Sequence, residues 1–110
     1  MVFLVIIQRI PLHQVLEMAK LGVEKQKEFD WGKYGEVVDT NSPPGLYQPD
    51  EDGLKGIFIK EVKEGKLEDA MKLELEWAAL FSNIKGFRTK LEVFYGTEEL
   101  AAIARVQIPK

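Results

Sequence analysis

The most constraining feature of this 110-residue sequence is a pair of short segments that are apolar on both sides of an extended backbone. Residues 2–7 read VFLVII, and residues 57–59 read IFI. Successive side chains of a β-strand point to opposite faces, so both faces of these segments carry large apolar groups. This pattern predicts two central strands of a sheet that is covered on each face.

Helical and strand patterns alternate along the rest of the chain. A 3.6-residue apolar period predicts helices over residues 12–28 and 66–82, and Thr97 caps a third over residues 97–106. The buried stripe of the first helix is predicted at Leu12, Val15, Leu16, Ala19 and Val23. Three further strands are predicted, at residues 35–40, 54–62 and 87–95. The β-α-β-β-α-β order with an extra C-terminal helix indicates an α+β, ferredoxin-like sandwich, with its first and third strands central.

The composition fits one domain over residues 1–110 and excludes several kinds of site. Hydrophobic residues make up 45% of the chain and charged residues 30%, as in globular proteins. The absence of cysteine excludes disulfides, thiolate catalysis and cysteine-bound metals, and a single histidine excludes a histidine-rich metal site. We predict neither a metal site nor a cofactor.

Charge and hydropathy limit the partners and the location. The net charge is −3 and basic residues are spread along the chain, which argues against nucleic acid as a partner. The apolar N-terminal run is too short to span a bilayer and lacks the flanks of a signal peptide. We expect a cytoplasmic protein that binds no membrane, and its wealth of Glu and Lys suggests a thermophilic source.

Covering both faces of the sheet requires a layer that one chain does not supply. In a ferredoxin-like sandwich the helices cover one face only. The other face would expose either the odd-numbered or the even-numbered side chains of residues 2–7, together with one side of residues 57–59. That exposed apolar area is larger than most soluble monomers carry. We therefore predict a two-fold symmetric homodimer that packs sheet on sheet.

This combination resembles the dimeric α/β-barrel superfamily over nearly the whole chain. The resemblance rests on the element order, the apolar pattern and residues 66–105, which include Trp77, the closing strand and the trailing helix. In that stretch the chain is similar to a small branch of unknown function. The superfamily includes cofactor-independent monooxygenases, lactone isomerases, haem enzymes and stress-response proteins, so the resemblance implies a fold rather than a reaction.

Glu74 is the sharpest anomaly in the apolar pattern, because it lies near the centre of the apolar arc of the second helix. Desolvation there would raise the pKa of the carboxyl unless a cation paired with it. Such acids often mark functional sites, so Glu74 is a candidate catalytic acid. The simpler alternatives are a structural ion pair, for example with Arg9 or Arg88, and a side chain that bends out to water.

His13 is the second catalytic candidate, because an imidazole titrates near neutral pH. It lies at the margin of the apolar stripe of the first helix, where an exposed histidine with no catalytic role is the simpler explanation.

Five further residues are candidates for ligand binding: Trp31, Tyr34, Tyr47, Trp77 and Arg88. Aromatic residues with polar tips often line concave sites, although they also pin loops onto a core. Arg88 shares a strand face with two other charged residues. That face would hold an anion if it lined a space between two sheets, or would protect a solvent-facing edge.

A long connector is predicted at residues 41–53, because a hairpin between the second and third strands needs far fewer residues. Pro43 and Pro44 stiffen it, and Leu46 and Tyr47 are apolar enough to dock on another surface. We expect either a lid over a site or an arm that contacts the second subunit.

These features predict a homodimeric ligand-binding or structural module, whose inter-sheet cavity holds a small organic molecule or is filled by side chains. The alternative is a cofactor-independent enzyme, similar to a monooxygenase or an isomerase, with Glu74, His13, Tyr34 and Tyr47 as its acid–base groups. A regulatory ligand-sensing domain is a third hypothesis and would need a DNA-binding partner chain. A water-excluding pocket with convergent polar groups would favour the enzyme.

Overall fold

The computed structural model describes residues 1–39 and 45–104. Within these ranges, four strands form one antiparallel sheet in the order β2-β3-β1-β4. The strands are β1 (Val2–Pro11), β2 (Leu46–Asp50), β3 (Gly53–Val62) and β4 (Arg88–Tyr95). The helices are α1 (Val15–Lys25), which follows a 3₁₀ turn (Leu12–Gln14), α2 (Trp31–Val37), α3 (Leu67–Ala79) and α4 (Thr97–Ala104).

The predicted α+β class is confirmed, and so are the central positions of the first and third strands of the sheet. The order of elements along the chain is β-α-α-β-β-α-β-α, which differs from the predicted β-α-β-β-α-β order because α2 is an additional helix. Residues 105–106 of the predicted C-terminal helix lie outside the described residues.

The predicted strand at residues 35–40 is wrong, because its first three residues belong to α2 and residue 40 lies outside the described residues. The side chain of Asp30 caps this helix by accepting a hydrogen bond from the backbone N–H of Lys33 at 3.0 Å. Val37 lies on the inner side of the helix and packs into the core. The cap and this packing outweigh the strand preference of two adjacent valines, and Val38 keeps only an isolated bridge to Val62.

The second strand instead begins at Leu46, inside the segment predicted as a long connector. A tight turn joins β2 to β3: a carboxylate oxygen of Asp50 accepts hydrogen bonds from the backbone N–H groups of Asp52 and Gly53, at 2.9 and 3.0 Å. Gly53 has a φ of 145°, which favours glycine. The predicted connector is therefore mostly a hairpin, and residues 40–44 lie outside the described residues.

The pairing register determines which face of the sheet the helices cover. On β1, Leu4, Ile6 and Ile10 are at most 7% exposed and belong to the two clusters of the core. Phe3, Val5 and Ile7 point the opposite way, because side chains alternate along a strand. The sequence pattern alone did not distinguish these two parities.

The other face of the sheet, called the open face below, carries these odd-numbered residues of β1 and their register partners. Its apolar side chains Ile59, Phe94 and Leu46 are 40%, 51% and 64% exposed. The large exposed apolar area predicted for one face of the sheet is therefore present.

The buried stripe of α1 differs from the predicted one. Of the predicted stripe, Val15 packs against the core, whereas Leu12, Leu16 and Val23 are between 66% and 69% exposed. Met18, which was not predicted, is buried in the core. The α-helix begins only at Val15, after the 3₁₀ turn, so the predicted stripe had the right period and the wrong phase.

Candidate functional site

A cavity of about 400 Å³ lies between the helix-covered face of the sheet and the helices α1, α2 and α3. Strands β1, β2 and β3 supply its floor through Ile6, Gln8, Tyr47, Phe58 and Lys60. The helices, the segment between α1 and α2 and the turn after α3 supply its walls, chiefly Met18, Phe29, Trp31, Tyr34, Glu74, Trp77 and Phe81. The cavity belongs to a single chain, whereas the predicted inter-sheet cavity requires two chains and stays a prediction.

The aromatic walls form one connected cluster. The ring of Phe29 meets the rings of Trp31 and Trp77 edge to face, with centroid distances of 4.7 and 5.2 Å. Trp77 in turn packs against Phe81 at 5.0 Å. Each such pair contributes about 0.5–1.5 kcal/mol beyond its buried area, so the cluster holds the walls in fixed positions.

Helix α2 is fixed to the neighbouring segments by polar contacts as well. The indole N–H of Trp31 donates to the backbone carbonyl of Gln26 at 2.9 Å. The ammonium group of Lys63 donates to the carbonyl of Gly35 at 2.7 Å, close to the end of the helix. Together with the Asp30 cap, these bonds position Trp31 and Tyr34 on the rim of the cavity.

Glu74 is the buried acid of the cavity, with 7% of its surface exposed. Its only hydrogen bond among the described residues comes from the hydroxyl of Tyr34, which donates to Oε1. Burial raises the pKa of the Glu74 carboxyl, and the Tyr34 hydrogen bond and the positive charge of Lys60 offset part of that rise. Burial and the nearby carboxylate raise the pKa of Tyr34, which keeps its phenol protonated at neutral pH.

The two predicted arginine partners of Glu74 lie on the opposite face of the sheet, so the predicted ion pair between Glu74 and either arginine is wrong. Arg9 pairs with Asp50 at 2.9 Å, on the open face. Arg88 faces Arg9 in register and shares that face. Among the described residues, no Lys or Arg nitrogen lies within 4.0 Å of the Glu74 carboxylate.

The structure brings most of the sequence-predicted site residues together. Glu74, Trp31, Tyr34, Tyr47 and Trp77 all line the one cavity, although they come from three different elements. Two candidates are absent from its lining. His13 is exposed in the 3₁₀ turn before α1, and Arg88 lies on the opposite face of the sheet.

Two polar groups on the sheet side of the cavity were missed from the sequence. Gln8 is 7% exposed and lies at a buried position of β1, between Ile6 and Ile10. A polar residue at this parity of an otherwise apolar strand was a detectable signal. Lys60 faces the helices from β3, directly opposite Leu4, and its orientation could not be read from a strand that is apolar on both sides.

The arrangement is suited to an organic ligand rather than to a metal ion. Within residues 1–39 and 45–104, no group of three or more His, Asp or Glu side chains is placed to hold a metal. The cavity instead combines apolar, aromatic walls with a few convergent polar groups, which is typical of small-molecule sites.

Comparisons of the chain with protein-family models, with curated proteins and with solved structures gave no significant match. In the part of the chain that the structure describes, no helix is long and apolar enough to cross a membrane.

Proposed function

We propose that this protein binds a small, planar, largely apolar organic molecule in the cavity between the sheet and the helices α1, α2 and α3. The observation that carries the proposal is the position of Glu74. Its carboxyl is buried, accepts one hydrogen bond, and borders a space of about 400 Å³ that is walled by aromatic rings.

A purely structural role does not account well for this carboxyl. A buried carboxylate without a paired cation destabilises a fold, and an apolar side chain of similar volume would pack there at lower free energy. A ligand that hydrogen-bonds to the second carboxyl oxygen would offset this penalty in the complex. The arrangement therefore favours binding over the stability of the free protein.

The polar groups of the cavity define the chemistry of the ligand. The Tyr34–Glu74 pair lies on the helix side, while Gln8 and Lys60 lie on the sheet side. The carboxylate accepts a hydrogen bond from an N–H or O–H group, and Lys60 and Gln8 donate to a carbonyl, carboxylate or phenolate oxygen. A ring with a polar group at each end, such as a hydroxybenzoate or an aminophenol, satisfies both sides.

Tryptophan fluorescence gives a direct test, because both tryptophans of the sequence line the cavity. We expect members of a panel of phenols, benzoates, anilines and quinones to change the emission in a saturable manner. Glu74→Gln should weaken the binding of the best ligand at least ~10-fold, in line with loss of a charge-assisted hydrogen bond. Glu76→Gln, on the exposed side of the same helix, is the matched control and should bind normally.

If no compound in the panel changes the emission, or if Glu74→Gln and Glu76→Gln bind equally well, the proposed role of Glu74 is wrong. A cavity that is filled by side-chain rearrangement, as in a purely structural module, would give the first of these results.

The raised pKa of Glu74 supports a second candidate function, that of a cofactor-independent enzyme. An acid whose pKa is moved toward neutrality can give a proton to a bound molecule or take one from it. Here Tyr34 would orient the carboxyl and stay protonated. Incubating the fluorescence-positive compounds with the protein in air and following them by mass spectrometry would reveal turnover, which Glu74→Gln should abolish.

We also propose that the chain is a ferredoxin-like sandwich with one additional helix and that it forms a homodimer, as in a dimeric α/β barrel. The central positions of β1 and β3 and the exposed apolar side chains of the open face support this proposal. Sedimentation analysis at micromolar concentration should give twice the mass of the chain. A monomer would show that the open face has a different partner.

A further inference from the structure

The charges on the open face are arranged in order along the strands. Two inner rows cross the middle of the face, in register from β3 through β1 to β4: Ile59, Val5 and Glu92 form the acidic inner row, and Ile57, Ile7 and Lys90 form the basic inner row. The outer row beyond the basic one contains Lys55, Arg9 and Arg88. The opposite outer row contains Phe3 and Phe94, together with Glu61. One end of the face is therefore mainly basic, although Asp50 pairs with Arg9 there, and the other end is apolar and acidic.

Among packings that keep the strands of the two sheets aligned, two orientations of a second copy would cover this face symmetrically. In the first, the two-fold axis lies between the two sheets and runs across the strands. Each strand then faces the same strand of the second copy in the opposite direction, so the acidic inner row faces the basic inner row and one outer row faces the other. If the axis runs along the strands, each row meets itself, with β1 facing β3 and β4 facing β2 of the second copy.

The axis across the strands produces a complementary pairing in both inner rows. Glu92 then faces Lys90 of the second copy, and symmetry makes this contact twice. Val5 faces Ile7, and Ile59 faces Ile57, so the apolar centres coincide. The outer rows place Arg9 over the ring of Phe3, which is a favourable cation–π arrangement.

The axis along the strands brings like charges together. Arg9 of one copy would face Lys55 of the other. The basic rows of both copies would gather at one end of the interface, where Asp50 of each copy offsets part of their charge. Like charges that face each other across an interface repel, so this orientation is disfavoured.

We infer that the homodimer forms about a two-fold axis that crosses the strands between the two inner rows, with Lys90 of each copy opposite Glu92 of the other. This inference rests on the sheet-on-sheet dimer proposed above and adds its orientation. The twist of the sheets turns the rows by roughly 30° relative to each other, which keeps neighbouring rows in contact.

The area of the face is adequate for such a dimer. Neighbouring strands lie about 4.8 Å apart and rise about 3.4 Å per residue. The four strands together therefore give the open face a flat area of roughly 550 Å². Two copies thus cover roughly 1,100 Å² before the relief of the side chains is counted, which is near the lower bound for stable interfaces of about 1,200 Å².

Cross-linking tests the orientation directly, because the sequence has no cysteine of its own. A short bismaleimide should join the chains in an equal mixture of Lys90→Cys and Glu92→Cys proteins, and with a higher yield than in either protein alone. The control mixture combines Lys90→Cys with Leu46→Cys, because Leu46 of β2 lies in the same row as Lys90. Only the axis along the strands brings position 90 to position 46 of the second copy.

Charge reversal provides an independent readout. Lys90→Glu and Glu92→Lys each place like charges together twice per dimer, so each variant alone should dimerise at least ~10-fold more weakly. An equal mixture of the two variants should recover a heterodimer of near wild-type affinity, because every reversed charge then meets its opposite. The double variant should recover as well. It also restores an ion pair within each chain, where Lys90 and Glu92 of the wild type lie 3.2 Å apart.

The outcomes distinguish the existence of the dimer from the orientation of its two copies. A wild-type dimer that cross-links through positions 90 and 92 supports both the dimer and its orientation. A dimer that cross-links through positions 90 and 46, or that fails to cross-link through 90 and 92, overturns the orientation alone. A wild-type monomer overturns the dimer and the inference together.

Discussion

Replacing Glu74 by glutamine should make the protein more stable near neutral pH and a weaker binder of its ligand. Glutamine keeps the shape of the side chain and the oxygen that accepts a hydrogen bond from Tyr34, and it removes the charge. Because burial raises the pKa of Glu74 in the folded state, the folded protein holds this proton more tightly than the unfolded chain. The stability that Glu74 contributes is therefore present below the unfolded pKa and is lost as pH rises through the folded pKa.

The magnitude follows from the burial of the carboxylate. Glu74 is 7% exposed and accepts one hydrogen bond, so its ionised form leaves part of the charge unsatisfied. Such a group costs about 1–3 kcal/mol, and the field of Lys60 offsets a part. We expect Glu74→Gln to raise the free energy of unfolding by about 1–2 kcal/mol near pH 7, equivalent to about 4–10 °C in Tm. Near pH 3.5 the gain should fall below about 0.5 kcal/mol, because the wild-type carboxyl is then protonated.

Urea unfolding followed by tryptophan fluorescence at the two pH values measures this difference. The control is Glu76→Gln, which removes the same charge from an exposed position of α3 and should change stability little at either pH. If Glu74→Gln is less stable than the wild type at both pH values, the carboxylate has a structural role and the reasoning is refuted.

Three further substitutions test other parts of the account. Tyr34→Phe removes the hydrogen bond that the phenol donates to Glu74 and should lower the unfolding free energy by about 1–3 kcal/mol near pH 7, as measured by urea unfolding. Gly53→Ala should destabilise by more than about 2 kcal/mol, because a Cβ there would overlap the backbone of β1, whereas Gly65→Ala, with open space around it, should cost about 1 kcal/mol. Asp30→Ala removes the cap of α2, so it should cost about 1 kcal/mol and speed amide exchange in that helix.

Each of these expectations has a contradicting result. A Tyr34→Phe protein as stable as the wild type would mean that Glu74 finds another partner. Equal costs for the two glycine substitutions would contradict the close approach of β1 at Gly53. Unchanged exchange in α2 of the Asp30→Ala protein would show that packing alone holds this helix.

The centre of the sheet was predictable because its signal is local and strong. Residues 2–7 and 57–59 are apolar on both faces, and few arrangements other than a central strand bury both faces. The face of each strand was not predictable for the same reason, since the two parities look alike. Only the pairing register shows that Leu4 and Ile6 face the helices while Phe3 and Val5 face outward.

The errors arose where a local preference competes with tertiary packing. Val37 and Val38 favour a strand, but the Asp30 cap and the aromatic contacts of Trp31 and Tyr34 stabilise a helix there. The second strand was missed because Pro49 and the turn residues around it suggest a loop. Pro49 is tolerated because β2 is an edge strand, where a missing backbone donor can face solvent.

The residues of the candidate site were easier to find than its location. Glu74 breaks an apolar stripe, and the aromatic residues with polar tips are recognisable by type. Their convergence on a cavity inside one chain depends on α2, which the sequence did not predict. Lys60 and Gln8 reach the same cavity from the sheet, and their contribution follows from the register of β1 and β3.

Native mass spectrometry with a mixture of small aromatic compounds tests the central claim most directly. The wild-type protein and the Glu74→Gln variant would be incubated with the same mixture and sprayed under gentle conditions. The account predicts an adduct of one compound per wild-type chain, with little or none on the variant. Equal adducts on both proteins, or none on either, would contradict the claim that the cavity around Glu74 is a binding site.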